Sequence, residues 1–234
     1  MTTLAVDTSE ARGSVALLRS GLPVAVKRHD ANSDYSEWLL PAVEDILARA
    51  SAQLRDVDLL AVASGPGSFT GLRVGLTTVK AWAEVYGKRV VGVPRLEAIA
   101  RSRGGNASGL VAACYDAQRG QIFGALYRCS TAGLATVEGE LVISPEEFVS
   151  WVGAHAGPVG VNWVSLDPQL ITSLPGWNKR LACGDAMNQC LPELATEIGR
   201  LAEDRARSGL FTDPLQLDAN YVRRSDAEIF WKGR

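Results

Sequence analysis

Residues 64–75, SGPGSFTGLRVG, constrain the fold more than any other part of the chain. They follow the apolar run LLAVA at 59–63, which predicts a buried strand, and they lead into a helical pattern that extends to about Tyr86. This order of strand, glycine-rich turn and helix is typical of an α/β unit, and it leaves free backbone N–H groups at the helix start. The turn is therefore a candidate either for anion contact or for close packing through its glycines.

The turn matches neither of the two nucleotide-binding motifs that it superficially resembles. A Walker loop requires Lys and then Ser or Thr after its last glycine, but Leu72 follows Gly71, and the dinucleotide fingerprint requires glycine where Thr70 stands. If an anion or a nucleotide does bind, the groups available at the ends of the first strand and of this strand are Asp7, Thr8, Ser9, Gly65, Gly67 and Ser68.

Composition excludes several classes of protein. Of the 234 residues, 47% are hydrophobic and 21% are charged, as in ordinary soluble domains, and no apolar run is long enough to span a bilayer. The first residues do not resemble a signal peptide, so we expect a cytoplasmic protein without membrane contact. The net charge of −2, with scattered basic residues, predicts little affinity for nucleic acid by this chain alone.

Residues suited to catalysis or metal binding are few. The chain has two histidines, His29 and His155, which are too far apart to form a helical metal pair, and its four cysteines form no C-x-x-C pair. A G-x-S-x-G nucleophile elbow is also absent. We therefore expect no catalytic residues, no metal, no disulfide and no cofactor, with weak or no nucleotide binding.

Two similar series of elements predict two related units. The first has three strands between Thr2 and Arg28, a helix that a capping box of Asp34 and Glu37 begins, and alternating strands and helices to about 102. After a small, polar stretch at 101–109, three more strands over 110–143 precede a strong helix start at Ser144. We place the boundary between the two units in the polar stretch at 101–109, which gives an N-terminal lobe of 1–103 and a more divergent lobe of 104–212.

The helices predicted over 36–50 and 69–86 have unusually wide apolar faces, roughly 200° and roughly 240° of arc, where a helix that covers one sheet needs about 100°. Either their own domain covers each helix on several sides, or the second face meets another protein chain. Small residues near one edge of the arc would allow a partner helix to approach closely. The predicted interface consists of Trp38, Leu40, Val43, Leu47, Gly71, Val74, Gly75, Thr78 and Trp82.

Five segments resemble the TsaB (YeaZ) family: LAVDTS at 4–9, GSVAL at 13–17, SEWLLP at 36–41, GPGSFTGLRVG at 65–75 and NYVRR at 220–224. The long glycine run is highly specific, and the likeness covers most of 1–103 and resumes at the C-terminus. The resemblance implies an α/β protein of the actin/Hsp70/sugar-kinase-like (ASKHA) fold, with two related lobes, each a mixed sheet with flanking helices. The segment 213–234 would then complete the first lobe. One departure is Tyr35, where many relatives have histidine.

The resemblance also implies a function. It indicates a non-catalytic subunit that supports a TsaD-like enzyme, which transfers a threonylcarbamoyl group to N6 of the adenosine beside the anticodon of tRNAs. A TsaE-like ATPase would belong to the wider complex, tRNA would be contacted only through that complex, and the chain would form a homodimer when its partner is absent. The helices matching 36–50 and 69–86 would form the interface.

Two enzymatic alternatives remain open. The first is a nucleotide-binding phosphotransferase or ATPase of the same fold, in which residues 7–9 and the turn at Gly184 and Asp185 face a bound nucleotide. The second is a peptidase-like enzyme, which the scarcity of metal ligands disfavours. Fold analogy alone cannot decide between the non-catalytic subunit and these two enzymes.

Overall fold

The computed structural model describes residues 1–30, 32–102, 108–131 and 133–222, and the chain divides into two compact units. Of these described residues, the first unit contains those within 1–98 and 192–222, and the second contains those within 99–191. The elements of the first unit are β1 (Thr2–Asp7), β2 (Ser14–Arg19), β3 (Leu22–Arg28), α1 (Tyr35–Arg49), β4 (Leu59–Gly65), α2 (Phe69–Tyr86), β5 (Arg89–Pro94) and the late helix α7 (Ala195–Arg207). Helix α3 (Arg95–Ser102) spans the division.

The first unit is built on a five-stranded sheet of order β3-β2-β1-β4-β5. The predicted antiparallel meander is confirmed, because β1 pairs with β2 and β2 with β3, while β4 and β5 join β1 in parallel. Strand β1 is buried over almost its whole length, as expected of a central strand covered on both faces.

Helices cover both faces of this sheet. Leu4 and Val6 of β1 belong to a core shared with α1 and α2, whereas Thr3 on the opposite face bonds to Glu203 of α7. The hydroxyl oxygen of Ser14 accepts a hydrogen bond from the Ala195 N–H (3.1 Å) and so satisfies a donor at the start of α7.

The second unit repeats this topology. Its elements are β6 (Gly109–Gln118), β7 (Gln121–Ser130), β8 (Gly133–Ile143), α4 (Pro145–Ala156), β9 (Val161–Ser165), α5 (Gln169–Thr172), α6 (Trp177–Ala182) and β10 (Ala186–Gln189). Read from its other edge, the sheet order is β8-β7-β6-β9-β10, which matches β3-β2-β1-β4-β5 of the first sheet strand for strand. The predicted second meander and the helix start at Ser144, with both halves of its capping box, are confirmed.

The structure differs from the predicted lobe boundaries at two elements. In α3 the residues from 99 onward, which the prediction places in the first lobe, belong to the second unit. Helix α7 lies within 104–212, yet it belongs to the first unit, because the buried side chains of Ala195, Ile198, Leu201 and Ala202 pack on that unit's sheet. The predicted capping box at Asp34 is also absent, since the Asp34 side chain makes no cap hydrogen bond. The centre of the linker, 103–107, and the end of the C-terminal segment, 223–234, lie outside the described residues.

Candidate functional site

The glycine-rich turn packs against the loop that follows β1. The Ser68 N–H donates to the Ser9 carbonyl oxygen (2.7 Å), and a Cβ at Gly67 would overlap that same oxygen. Gly65 has a φ of +110°, in the region that favours glycine. Ser68 also caps α2, because its hydroxyl oxygen accepts from the Gly71 N–H (3.3 Å). These glycines therefore bring two loops together.

The two glycines inside α2 have the same role, and their assignment to a partner interface is wrong. The Thr8 hydroxyl donates to the Gly71 carbonyl oxygen (2.7 Å), and a Cβ at Gly71 would overlap the Thr8 carbonyl oxygen. A Cβ at Gly75 would overlap the Thr8 hydroxyl oxygen. The small residues let α2 approach the loop after the chain's own first strand, so Gly71 and Gly75 are buried within the first unit.

The polar residues proposed for anion contact are engaged in internal bonds. Asp7 Oδ1 accepts from the backbone N–H (3.0 Å) and the hydroxyl of Ser9, and Asp7 Oδ2 lies 3.4 Å from Nε of Arg95 in a fully buried ion pair. Thr8 and Gly65 are also buried, Gly67 is half-buried, and Ser68 alone of the six is exposed. Contact with an anion stays a prediction.

The surfaces of α1 and α2 retain apolar residues that their own core does not cover. Val43 and Leu47 are buried in that core, so their placement in an interface is wrong. Of the other predicted residues, Leu40 is 50% exposed, while Trp38, Val74, Thr78 and Trp82 are half-buried. The structure adds Phe69 (41% exposed), Val85 (75% exposed), Ala81 and Tyr86, which lie on the same wide arc of α2. We call the exposed apolar residues Leu40, Ala81 and Val85, with the half-buried Trp38, Val74 and Trp82, the helical face.

An aromatic cluster stands at the start of α1. The Tyr35 hydroxyl accepts from the Gly13 N–H (2.6 Å) and donates to the Glu10 carbonyl oxygen, so it holds the loop between β1 and β2. Burial raises the pKa of this hydroxyl, which therefore stays protonated. The ring of His29 stacks on Tyr35 with centroids 4.2 Å apart and meets Trp38 edge-on at 5.0 Å.

A second cluster joins the C-terminal segment to the start of α2. The Arg73 guanidinium lies 3.7 Å from the centroid of the Phe69 ring, and its Nε donates to the Tyr221 hydroxyl (3.1 Å). The Asn220 N–H donates to the Ser64 carbonyl oxygen (2.7 Å) beside the glycine turn. The glycine-rich segment at 64–75 and the C-terminal segment at 220–224 are thus in contact. Arg223 and Arg224 of the second segment lie outside the described residues.

In the second unit the carboxylate considered for nucleotide contact is part of a buried network. Asp185 accepts from Nε and Nη2 of Arg180 (2.8 Å each), from the Val161 N–H (3.0 Å) and from the Trp163 indole N–H (2.6 Å). Such a saturated carboxylate holds β9 against α6 and has no lone pair directed at a ligand.

Few groups in the described part of the chain offer other chemistry. Its four cysteines are free thiols, and burial raises the pKa of Cys114 to about 12, which makes that thiol unreactive. Within those same residues, no three His, Cys, Asp or Glu side chains lie together as metal ligands. Nor does any helix over the described ranges have the length and apolar character to cross a membrane.

Comparison with known proteins is consistent with this architecture. A family model described as TsaD, tRNA N6-adenosine threonylcarbamoyltransferase, matches residues 26–164. The tRNA threonylcarbamoyladenosine biosynthesis protein TsaB of Escherichia coli is 32% identical over 70% of this chain and 72% of that protein. The Bacillus subtilis protein of the same name is 29% identical over 99% of this chain and 98% of its own length.

Solved structures resemble the chain over nearly its full length. YeaZ from Pseudomonas aeruginosa superposes with a TM-score of 0.75 at 26% identity and covers 94% of this chain and 99% of its own. A ROK family protein from Streptococcus pneumoniae, crystallised with sucrose, has a TM-score of 0.53 at 11% identity and covers 89% of this chain and 99% of its own. The second likeness concerns the fold alone, and it confirms the predicted actin/Hsp70/sugar-kinase-like class.

Proposed function

The chain belongs to the TsaB (YeaZ) family, and from that premise we propose that it is a non-catalytic subunit in tRNA threonylcarbamoyladenosine biosynthesis. In this proposal it binds a TsaD-like subunit through the helical face and supports the threonylcarbamoyl transfer that the partner catalyses. The observation that carries the proposal is the uncovered apolar surface of α1 and α2.

The composition of the helical face suits a protein partner better than water. It contains two tryptophans, Trp38 and Trp82, and aromatic residues are enriched in interfaces. Charged residues stand around it, as at the polar rim of an interface: Glu37, Glu44, Arg73, Lys80 and Glu84. Helices α1 and α2 contact each other, so their outer surfaces present one layer to a partner's helices.

The engagement of the polar groups supports a role without chemistry. A nucleophile or general base must be able to reach a substrate. Here Asp7 is paired internally with Arg95, Asp185 with Arg180, and both imidazoles contact nearby carbonyl oxygens. ATP hydrolysis or peptide cleavage by the isolated chain, above the rate of a buffer blank, would favour the enzymatic alternatives.

Further partners follow from the same proposal. We propose that a TsaE-like ATPase joins the complex, and that tRNA is contacted through the complex rather than by this chain alone. Without a TsaD-like subunit, a second copy of the chain would cover the helical face, because leaving the apolar surface in water costs free energy.

Two substitutions test the helical face. Leu40→Arg and Val74→Arg would each bury an unpaired positive charge in the interface with the partner. Burial of such a charge weakens association. We expect the affinity for a TsaD-like subunit, measured by titration calorimetry, to fall by at least about tenfold, equivalent to about 1.4 kcal/mol. Light scattering should show a one-to-one complex for the wild type and separate proteins for the variants.

Matched controls separate binding from folding. Leu22→Arg introduces the same charge at an exposed apolar residue of β3, away from the helical face, and should bind like the wild type. Leu72→Arg places it in the core and should unfold the first unit. The proposal fails if Leu40→Arg and Val74→Arg stay folded by circular dichroism and bind as tightly as Leu22→Arg.

A further inference from the structure

His29 directly follows β3, is 6% exposed, and has a backbone carbonyl oxygen facing each ring nitrogen. Nδ1 lies 2.7 Å from the carbonyl oxygen of Ala11, and Nε2 lies 2.8 Å from that of Ser33. A carbonyl oxygen only accepts hydrogen bonds, and a neutral imidazole has only one N–H to donate. Both contacts are therefore favourable together only when the ring is a doubly protonated imidazolium.

The stacking of His29 on Tyr35 also favours a cation. The two ring centroids lie 4.2 Å apart, and aromatic rings attract cations through their faces. The Trp38 ring makes a T-shaped contact with His29 at 5.0 Å. Because Trp38 belongs to the helical face, His29 links the loop after β1 and the segment before α1 to a surface residue.

Charges on the surrounding segments have a net sign that supports the imidazolium. Four carboxylates and two guanidinium groups stand at or just after the end of β3, in the loop after β1, and just before or in the first turn of α1: Asp30, Glu10, Asp34, Glu37, Arg28 and Arg12. The pKa of Asp30 is lowered mainly by the Asn32 N–H and in smaller part by His29. Burial of the ring and the positive end of α1 oppose the charge. Tyr35 stays neutral, because burial raises its pKa.

We propose that His29 is a positioning residue whose protonated ring clamps the first turn of α1, and with it Trp38, in the geometry that the partner binds. Loss of one proton would leave a nitrogen lone pair facing a carbonyl oxygen, and that contact would open. The effect on binding rests on the proposed function. Affinity for a TsaD-like subunit should then fall as pH rises from about 6 to about 8, where histidine ordinarily loses its charge.

The clamp can be tested without a partner by NMR. The chain contains two histidines, so ¹⁵N-histidine labelling gives two imidazole signal sets, and His155→Asn leaves that of His29. At about pH 6 both nitrogens of His29 should be protonated, and amide exchange over 33–38 should accelerate as the ring is deprotonated. A neutral ring at that pH, or amide exchange that follows only the intrinsic base catalysis, would overturn the proposal.

Binding measurements test the functional half. Affinity of the wild type should drop about fivefold over the same pH range. His29→Phe keeps an aromatic ring but has no N–H, so it should bind more weakly at pH 6 and lose the pH dependence. His155→Phe should keep the pH dependence of the wild type.

If the wild type binds the partner at no pH although His29 is protonated, the proposed function fails and the clamp stands. If binding is tight but independent of pH in the wild type, the positioning role is wrong. Should His29→Phe not fold, the wild-type pH series with His155→Phe still decides.

Discussion

Single hydroxyl groups hold the loop between β1 and β2, and Tyr35 offers the most informative substitution among them. Tyr35→Phe removes the acceptor of the buried Gly13 N–H and the donor to the Glu10 carbonyl oxygen, while the ring still packs on His29. A buried donor left without its acceptor costs about 1–3 kcal/mol. We expect the urea midpoint of the variant to fall accordingly.

Tyr86→Phe is the matched control for this substitution. Tyr86 is an exposed residue at the end of α2, and loss of an exposed hydroxyl should change the free energy of unfolding by no more than about 0.5 kcal/mol. Equal urea midpoints for Tyr35→Phe and Tyr86→Phe would show that the hydroxyl contacts of Tyr35 do not stabilise the loop.

The residue scale also shows why some predicted interface positions are wrong. Small residues at 71 and 75 on an apolar arc suit a partner helix and a neighbouring loop equally well, and the sequence offers no means of choosing between them. In the structure Thr8, 67 residues before Gly75, occupies that space. Val43 and Leu47 fall on the core side of α1 because the helical period alone does not fix how far the core extends around a helix.

Elements were more predictable than their contacts. The strands of both meanders and α1, α2 and α4 follow from apolar periodicity and turn residues, which are local signals. The wide arc of α2 correctly indicated a second apolar surface, since Ala81 and Val85 are exposed while Leu76 and Val79 are buried. The sequence places the residues of α7 in the wrong unit, because the packing of α7 on β1 and β2 spans most of the chain length and no local pattern encodes such a contact.

At the start of α4, the capping box predicts a pH dependence. The Ser144 N–H donates to Oε2 of Glu147 (2.9 Å), and this bond, followed by that of the Ser144 hydroxyl, lowers the pKa of the Glu147 carboxyl group. When the pKa of a carboxyl group is lower in the folded than in the unfolded state, the group stabilises the fold at pH values above its unfolded-state pKa. This stabilisation is lost as the pH falls through the folded-state pKa. The stability advantage of the wild type over Glu147→Gln should therefore shrink below about pH 4.5.

The control for Glu147 is its neighbour. Glu146→Gln removes a charge from the same first turn, but Glu146 takes no part in the capping box. Urea unfolding followed by tryptophan fluorescence reports on this unit through Trp151, Trp163 and Trp177. An identical pH dependence in the two variants would mean that helix-dipole attraction alone, and not the hydrogen bonds of Ser144, accounts for the effect.

At the scale of the whole molecule, the duplicated topology could be predicted because each unit begins with the same three-strand meander. The two sheets add their parallel strands on the same side of that meander, β4 and β5 in one and β9 and β10 in the other. Strands β9 and β10 were not predicted. Both are short and contain polar residues, so neither gives the continuous apolar signal of β4.

Charge at the scale of the whole chain predicts weak binding to tRNA. Lys and Arg total 24 against 26 Asp and Glu, a net charge of −2. Several arginines in the described part of the chain are in addition paired with carboxylates rather than presented to a phosphate backbone: Arg49, Arg95, Arg180, Arg200, Arg205 and Arg207. Affinity for tRNA depends on the number of phosphates that cations neutralise, and this chain offers few cations for that contact.

We expect fluorescence anisotropy at about 0.15 M salt to give a dissociation constant no tighter than about 1 μM, the limit of non-specific binding. Adding a TsaD-like subunit should strengthen binding, and Leu40→Arg should abolish that gain because it prevents assembly. Submicromolar binding by the isolated chain that weakens steeply with salt would contradict the prediction and assign a phosphate-binding surface to this subunit itself.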